Sequence, residues 1–354
     1  MRPPFRADQV GSLLRPARLH QIKNSGLSAD KIREIQDRAI VEAVRQQEAL
    51  GLEGITDGEF RRDWWHLDFL SQLDGVTLKE NPGPKFGGTE EQPPIPTVTG
   101  KLRYSRPVMI DDFAFLKKTT KKTAKFTIPS PSMLHLRAGR AGIAYKEMEE
   151  FWSDAAAAYR AAIKAFADAG CTYLQLDDVA FAYLCDPKIR ANCRKNGDDP
   201  ETLPRRYAET IDQALRDKPA GMTIAMHTCR GNFKSAWVAE GGYEPVAESM
   251  FSSGVDAFFM EFDSARAGGF EPLRFLPKGK QVVLGLVSTK TGALESKDEL
   301  QRKIAEAAKY VPLENLCLSP QCGFSSTHHG NTLTHDEQWR KLERVIDVAK
   351  EVWK

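Results

Sequence analysis

A (β/α)8 barrel is the fold class this chain predicts, and three observations carry it. Eight short apolar runs alternate, for the most part, with helical patterns, as parallel sheets with crossover helices require. The alternation fills 354 residues, room for eight such units in one large domain. No G-x-G-x-x-G follows the first run, so the main sequence argument for an open dinucleotide-binding sheet is missing.

The first extended run is 7–13. Ser28 then offers an N-cap, and Ile32, Ile35, Ala39, Ala43 and Leu50 recur at helical spacing up to Gly51. The second run is 54–59. Residues of about 74–124 break the rhythm with Gly and Pro at turn-forming density (81–88 and 93–96) and read as an insertion, a hairpin with a short helix. Such excursions serve either as lids or as surface decoration. The third run is 125–131. A helical pattern covers 145–170, with Gly170 placed to end it. Runs four to eight are 171–178, 222–229, 257–262, 281–288 and 316–322. Helical patterns at about 204–217, 243–253, 297–310 and 335–353 lie between and after them. The whole chain, 1–354, is thus expected to be a single barrel carrying one insertion.

Composition narrows the class of function. A formal net charge of +2 provides no strong field toward nucleic acid or membrane, and neither is expected as a partner. The N-terminus lacks the apolar core of a secretory signal, and no apolar run approaches the roughly 18 residues of a membrane span, so a cytoplasmic location is expected. The six cysteines are scattered and are expected to be reduced.

Chemistry in such a barrel gathers at the C-terminal ends of the strands. Those ends carry Ser12, then Asp57 and Glu59, Ser130, Asp177 and Asp178, His227 and Cys229, Glu261, Ser288, and Cys322. Loops are polar, which accounts for Ser130 and Ser288. It accounts less well for an imidazole, two thiols and a carboxylate at three of the last four ends. His227 and Cys229 sit two apart and face one side of an extended strand. With Glu261 and Cys322 they form a set that zinc accepts, whereas thiolates argue against magnesium or calcium. His328-His329 is a rival pair lying beyond the last strand end, read as loop residues facing the substrate. Cys171 and Cys317 begin strands and read as packing residues; Cys185 and Cys193 read equally as surface thiols or substrate contacts. The acidic pairs Asp57/Glu59 and Asp177/Asp178 suit proton transfer, an ammonium ligand, or helix capping.

These pieces together resemble the catalytic C-terminal barrel of the cobalamin-independent methionine synthases. The resemblance rests on Val10-Gly11-Ser12, Asp57-Gly58-Glu59, Leu174-Gln175-Leu176-Asp177, His227-Thr228-Cys229, Glu261 and Ser319-Pro320-Gln321-Cys322-Gly323, in the expected order across nearly the whole chain. It implies a zinc ion held by His227, Cys229, Glu261 and Cys322, with Glu261 loosened when homocysteine sulfur arrives. It implies that Gly11, Ser12, Glu59 and Asp177 hold the amino-acid end of homocysteine. The implied activity is transfer of a methyl group to homocysteine, giving methionine.

Three departures concern the methyl donor. Full-length members carry a further N-terminal barrel that helps bind folate, for which this chain has no room. The family's seventh strand end carries a proton-donating histidine where register from Gly285 puts Lys290, which with Asp177 makes the candidate catalytic pair. The tryptophan that packs on the pterin has no counterpart after Pro131. A short, single-barrel branch fits these departures, with methyltetrahydrofolate, a methylated corrinoid or another small methyl compound as donor. Two alternatives stand beside it: a zinc-dependent alkyltransferase acting on another thiol, such as an epoxyalkane–coenzyme M transferase, and a non-catalytic zinc- or thiol-binding barrel. Oligomeric state is not legible.

Overall fold

Seven strands, all parallel, form one curled sheet in a computed structural model that describes residues 2–22, 25–81, 92–233 and 235–354. They are β1 (Gly54–Ile55), β4 (Thr123–Pro129), β5 (Tyr173–Asp178), β6 (Thr223–Thr228), β7 (Ala257–Glu261), β8 (Gln281–Val287) and β9 (Leu316–Pro320), paired in that order. Two further strands, β2 (Asp74–Lys79) and β3 (Ile95–Arg103), pair antiparallel in a separate hairpin.

The expected first strand, 7–13, is reduced to single parallel bridges, Ala7 with Leu318 of β9 and Ser12 with Gly58 beyond β1. Backbone hydrogen bonds Asp8 N to Leu318 O (3.0 Å) and Leu13 N to Gly58 O (3.1 Å) fix it between the two edges. The sheet therefore closes, and the barrel has its eight positions even though one is not a regular strand. The reason lies at Gly11, where φ is +150° and a Cβ would sit 2.8 Å from Thr127 Cγ2. The backbone there runs too close to β4 for an ordinary side chain.

Alternation along the strands sorts inside from outside. Inward residues make a low layer of Phe5, Val10, Tyr173, Ala225, Ala257, Phe259, Val283 and Cys317. Low in the barrel a buried ion pair joins Lys125 Nζ to Asp8 Oδ1 at 3.2 Å, and the Tyr173 hydroxyl donates to Asp8 Oδ2 at 2.8 Å. Two to four residues further along the strands, the inward positions turn polar: Asp177 on β5, His227 on β6 and Glu261 on β7, with Asp177 registered against His227. Outward residues such as Leu174, Leu176, Ile224 and Met226 pack under the helices in the larger core.

The helices start and stop where local chemistry dictates. The Ser28 side chain accepts from Lys31 N, and Gly51 closes Ala29–Leu50 in a left-handed conformation. Thr334 and Glu337 form a capping box ahead of His335–Val352. Several expected helices are shorter than their patterns: Met148–Asp168 begins after residue 145, only Ala247–Ser252 forms within 243–253, and the patterns of 204–217 and 297–310 end at Ala214 and Ala307. A helix unforeseen from periodicity, Pro187–Lys195, follows β5 and is capped by Asp186. The interrupted region contains the β2–β3 hairpin and the helix Ile110–Thr119; residues 82–91, which hold most of its first Gly/Pro run, lie outside the described residues. No helix among the described residues is long and apolar enough to cross a membrane.

Candidate active site

At the end of β6, His227 and Cys229 project into the barrel mouth two residues apart. Glu261 ends β7, and Cys322 lies just past β9. One ligand atom from each of the four falls within 4.8 Å of all the others. The two sulfurs are 3.5 Å apart. Two zinc–sulfur bonds of about 2.3 Å at the tetrahedral angle put sulfurs about 3.8 Å apart, so the thiols stand near the required spacing. His227, Glu261 and Cys322 are each at least 97% buried. The donor set and its spacing therefore fit zinc.

Protons occupy this cluster when metal does not, and its electrostatics show where. Burial opposes a charge on His227, yet hydrogen bonds to Asp177 and Cys322 outweigh it and lift its pKa to about 10. The shared hydrogen bond between the thiols drives them apart. Cys322 is held well below the usual thiol range by Cys229 and His227, against the effect of burial, while Cys229 is pushed well above it by Cys322 and by burial. Burial also raises the Glu261 carboxyl, against the pull of Lys290. A divalent cation relieves all of these at once by replacing protons with ligand bonds.

Neighbouring groups set the orientation of three of the four side chains, His227, Glu261 and Cys229. Asp177 Oδ1 lies 3.3 Å from His227 Nδ1 and accepts from Gln175 Nε2 at 2.7 Å. This fixes the imidazole with Nε2 toward the cluster, the familiar carboxylate–histidine support of metal sites. Arg230 N–H donates to Glu261 Oε1 and Arg266 Nη2 to Glu261 Oε2, both at 3.1 Å. Gly231 N–H donates to Cys229 Sγ at 3.2 Å. Lys290, placed by the sequence at the seventh strand end, donates from Nζ to Gly231 O at 3.0 Å. Its charge reaches Glu261 and both thiols from there.

A cavity opens beside the cluster, and Ser12, Glu59, Asp177, His227, Cys229 and Cys322 all line it. Glu59 has an unusual setting. Its backbone is left-handed (φ 60°), with its N–H donating to Asp57 Oδ1 at 2.9 Å. Its Oε1 accepts from Thr127 Oγ1 at 3.0 Å, while Oε2 is buried and makes no hydrogen bond. Arg62 Nη1 stands 3.8 Å from Oε2, an ion pair without hydrogen-bond geometry. Burial, against the attraction of Arg62 and aided by the negative charge of Asp177, raises the Glu59 carboxyl to about 7. Gly11 does not line the cavity; a Cβ there would come 3.2 Å from Glu59 Oε1, so the glycine leaves the carboxylate its space.

Asp178 and Asp57 turn out to be structural. Asp178 accepts from the hydroxyls of Ser130 and Ser132 and, at 3.1 Å, from Phe181 N, holding the turn that follows β5. Of the two loop thiols, Cys185 is buried and Cys193 half-buried. His328 and His329 sit apart from the cluster, packed on Trp64 with ring centroids 5.6 and 5.4 Å away.

Sequence reasoning overlooked the outer wall of the cavity. Trp64, Trp65 and His66 line it from the loop after β1, Arg137 from beyond β4, Tyr183 from beyond β5 and Phe233 from beyond β6. Trp64 and Phe233 stack, with centroids 6.3 Å apart and planes at 16°. The cavity thus has an aromatic wall, from loops other than the one after Pro131. The Trp64-Trp65-His66 triplet just past a strand end was the available signal.

Comparison with known proteins gives a consistent picture. The family described as the cobalamin-independent synthase catalytic domain matches residues 12–351. The chain is 47% identical to the uncharacterized protein YxjH of Bacillus subtilis, over 99% of this chain and 95% of that protein. Its fold is similar to the crystal structure of a putative vitamin B12-independent methionine synthase from Listeria monocytogenes, with TM-score 0.80 and 38% identity over 100% of this chain and 99% of the other. It also superposes on a B12-independent methionine synthase from Shewanella sp. W3-18-1, solved in complex with selenomethionine, with TM-score 0.74 and 21% identity over 97% and 96% of the two chains. That last likeness speaks for the fold alone.

Proposed function

The chain belongs to the cobalamin-independent methionine synthase family through its catalytic domain, and from that premise we propose that it is a zinc-dependent S-methyltransferase converting homocysteine to methionine. The observation that carries this reading is the meeting of four zinc-type ligands with two further carboxylates, Glu59 and Asp177, in one cavity.

His227, Cys229, Glu261 and Cys322 would hold the zinc, which supplies stabilisation of a thiolate at a pH where a free alkyl thiol is mostly protonated and a poor nucleophile. The protein residues do the rest. Glu59, with one carboxylate oxygen free of hydrogen bonds, accepts the substrate ammonium. Asp177 lies between that ammonium and His227, so binding of the amino acid and orientation of the imidazole share one carboxylate. Ser12, which lines the same cavity, serves the amino-acid carboxylate. Lys290, anchored on Gly231 O, offsets negative charge that two thiolates and Glu261 concentrate at the mouth. The aromatic wall excludes water, favouring attack on a methyl carbon over solvation of the sulfur. A sulfonate thiol such as coenzyme M has no ammonium to offer Glu59, so the acid pair favours the amino acid.

Metal analysis and a donor screen test this reading. Purified protein is expected to hold one zinc per chain, and zinc-loaded protein with homocysteine is expected to form methionine from at least one of methyltetrahydrofolate, methylcobalamin or an S-methyl compound. Protein that takes up no stoichiometric zinc, or that binds coenzyme M and not homocysteine, overturns it.

A further inference from the structure

The cavity that receives the thiol also contains a cation without an anion. Arg137 follows the short helix Met133–Leu136 beyond β4, and its guanidinium lies 5.6 Å from the Tyr183 ring centroid. Among the described residues no carboxylate stands within ion-pair distance of it, and its Nε is buried and makes no hydrogen bond. Beside it is His66, 2% exposed, whose Nδ1 is also buried without a partner. Burial, then the charge of Arg137, holds His66 well below its ordinary pKa, so the ring is neutral and one nitrogen carries a proton to donate. The guanidinium also acts on the Tyr183 hydroxyl. The Tyr183 hydroxyl accepts from the guanidinium, which leaves Arg137 Nε and His66 Nδ1 bordering one part of the cavity without a partner. Buried donors left unpaired are costly, which marks such a place as one a ligand completes.

Position in the barrel says which ligand. The groups proposed for the amino acid, Ser12, Glu59 and Asp177, lie at or next to strand ends. Arg137, Tyr183 and His66 come from further along the chain beyond the strand ends, with Trp64 and Phe233, and line the same cavity from those loops. A ligand there lies over the thiol and has to be the methyl donor, because the thiol substrate is already held below.

We propose that Arg137, with His66 and Tyr183, forms an anion subsite for the methyl donor, so that this chain takes a donor bearing a carboxylate or a phosphate-like group against its aromatic wall. The inference rests on the methyltransferase reading above and deepens it. Guanidinium is suited to either group, since both accept two parallel hydrogen bonds.

The test is calorimetric titration of zinc-loaded protein, wild type against Arg137→Gln and Arg137→Lys. The probes are 5-methyltetrahydrofolate with one glutamate, inorganic phosphate, the sulfonium S-methylmethionine, and homocysteine. The anionic probes are expected to bind wild type and to lose about ten-fold or more in Arg137→Gln, with partial recovery in Arg137→Lys, and homocysteine to bind all three alike within about two-fold. Equal binding of anionic probes to wild type and Arg137→Gln overturns the proposal. So does binding of S-methylmethionine with no binding of any anionic probe. A loss confined to homocysteine assigns the subsite to the amino-acid carboxylate and likewise overturns it. Titrations of the anions are run with and without homocysteine. A protein that binds neither zinc nor homocysteine sinks the functional reading, while the anion titration still reports on Arg137.

Discussion

In the proposed reading, Glu59 couples substrate recognition to pH. Its carboxyl, raised to about 7 by burial, is largely protonated just below neutrality and cannot then pair with an ammonium group. The sign follows directly: homocysteine affinity is expected to fall as pH drops through about 7, and calorimetric titration between pH 6 and 8 checks it. Glu59→Gln should flatten that dependence and weaken homocysteine binding roughly ten-fold, the loss of a buried charge-assisted contact. Stability runs the other way. The folded state holds a proton that the unfolded chain releases near 4.5, so this residue's contribution is full below that value and is lost as pH rises through about 7. In the same reading Asp177 also orients a metal ligand, His227. Removing its charge with Asp177→Asn leaves His227 Nδ1 without its carboxylate partner at 3.3 Å. Zinc affinity, measured by competition with a chromogenic chelator, is expected to fall about 10- to 100-fold.

Elements, rather than single residues, bring these groups within reach of one another. The register of β5 on β6 puts Asp177 beside His227, and the period of two along β6 adds Cys229 on the same side. The N-terminal segment contributes Ser12 only because Gly11 lets it pass close to β4. Gly11→Ala would place a methyl group 2.8 Å from Thr127 Cγ2 and 3.2 Å from Glu59 Oε1. Overpacking at a site this tight costs about 1–3 kcal/mol. Urea unfolding is expected to show that loss, and Thr127→Ser, which deletes the clashing methyl and keeps the hydroxyl that donates to Glu59, should recover part of it. A double variant no more stable than Gly11→Ala alone would place the strain in the backbone at φ +150° instead.

For the whole molecule, the candidate ligand cluster links parts of the chain that are remote in sequence, since Cys229 and Cys322 meet across β6 to β9. Zinc bound to the folded state alone adds stability by mass action, so chelation is expected to lower Tm by several degrees in a thermal scan. Because His227 carries a proton up to about 10 and Cys229 is also held protonated, zinc must displace protons; apparent affinity is expected to rise with pH between 6 and 9. Strand–helix alternation and the polar strand ends were legible in the sequence because both are local patterns, one of hydrophobic period and one of residue type. The shortness of the first strand was not, because its limit is the approach of Thr127 to Gly11, more than a hundred residues away. Capping was one of three open readings of Asp178; the structure instead shows its carboxylate taken by Ser130, Ser132 and Phe181 N, which tie down the turn after β5. By itself the sequence determined the barrel class and the order in which ligand-type residues reach strand ends, since backbone periodicity and side-chain chemistry are written residue by residue. Only the tertiary structure decided that Arg137, His66 and Tyr183 share a wall of the cavity and that Glu59 keeps one oxygen unpaired, because loops from different strands come together only when the sheet closes on itself.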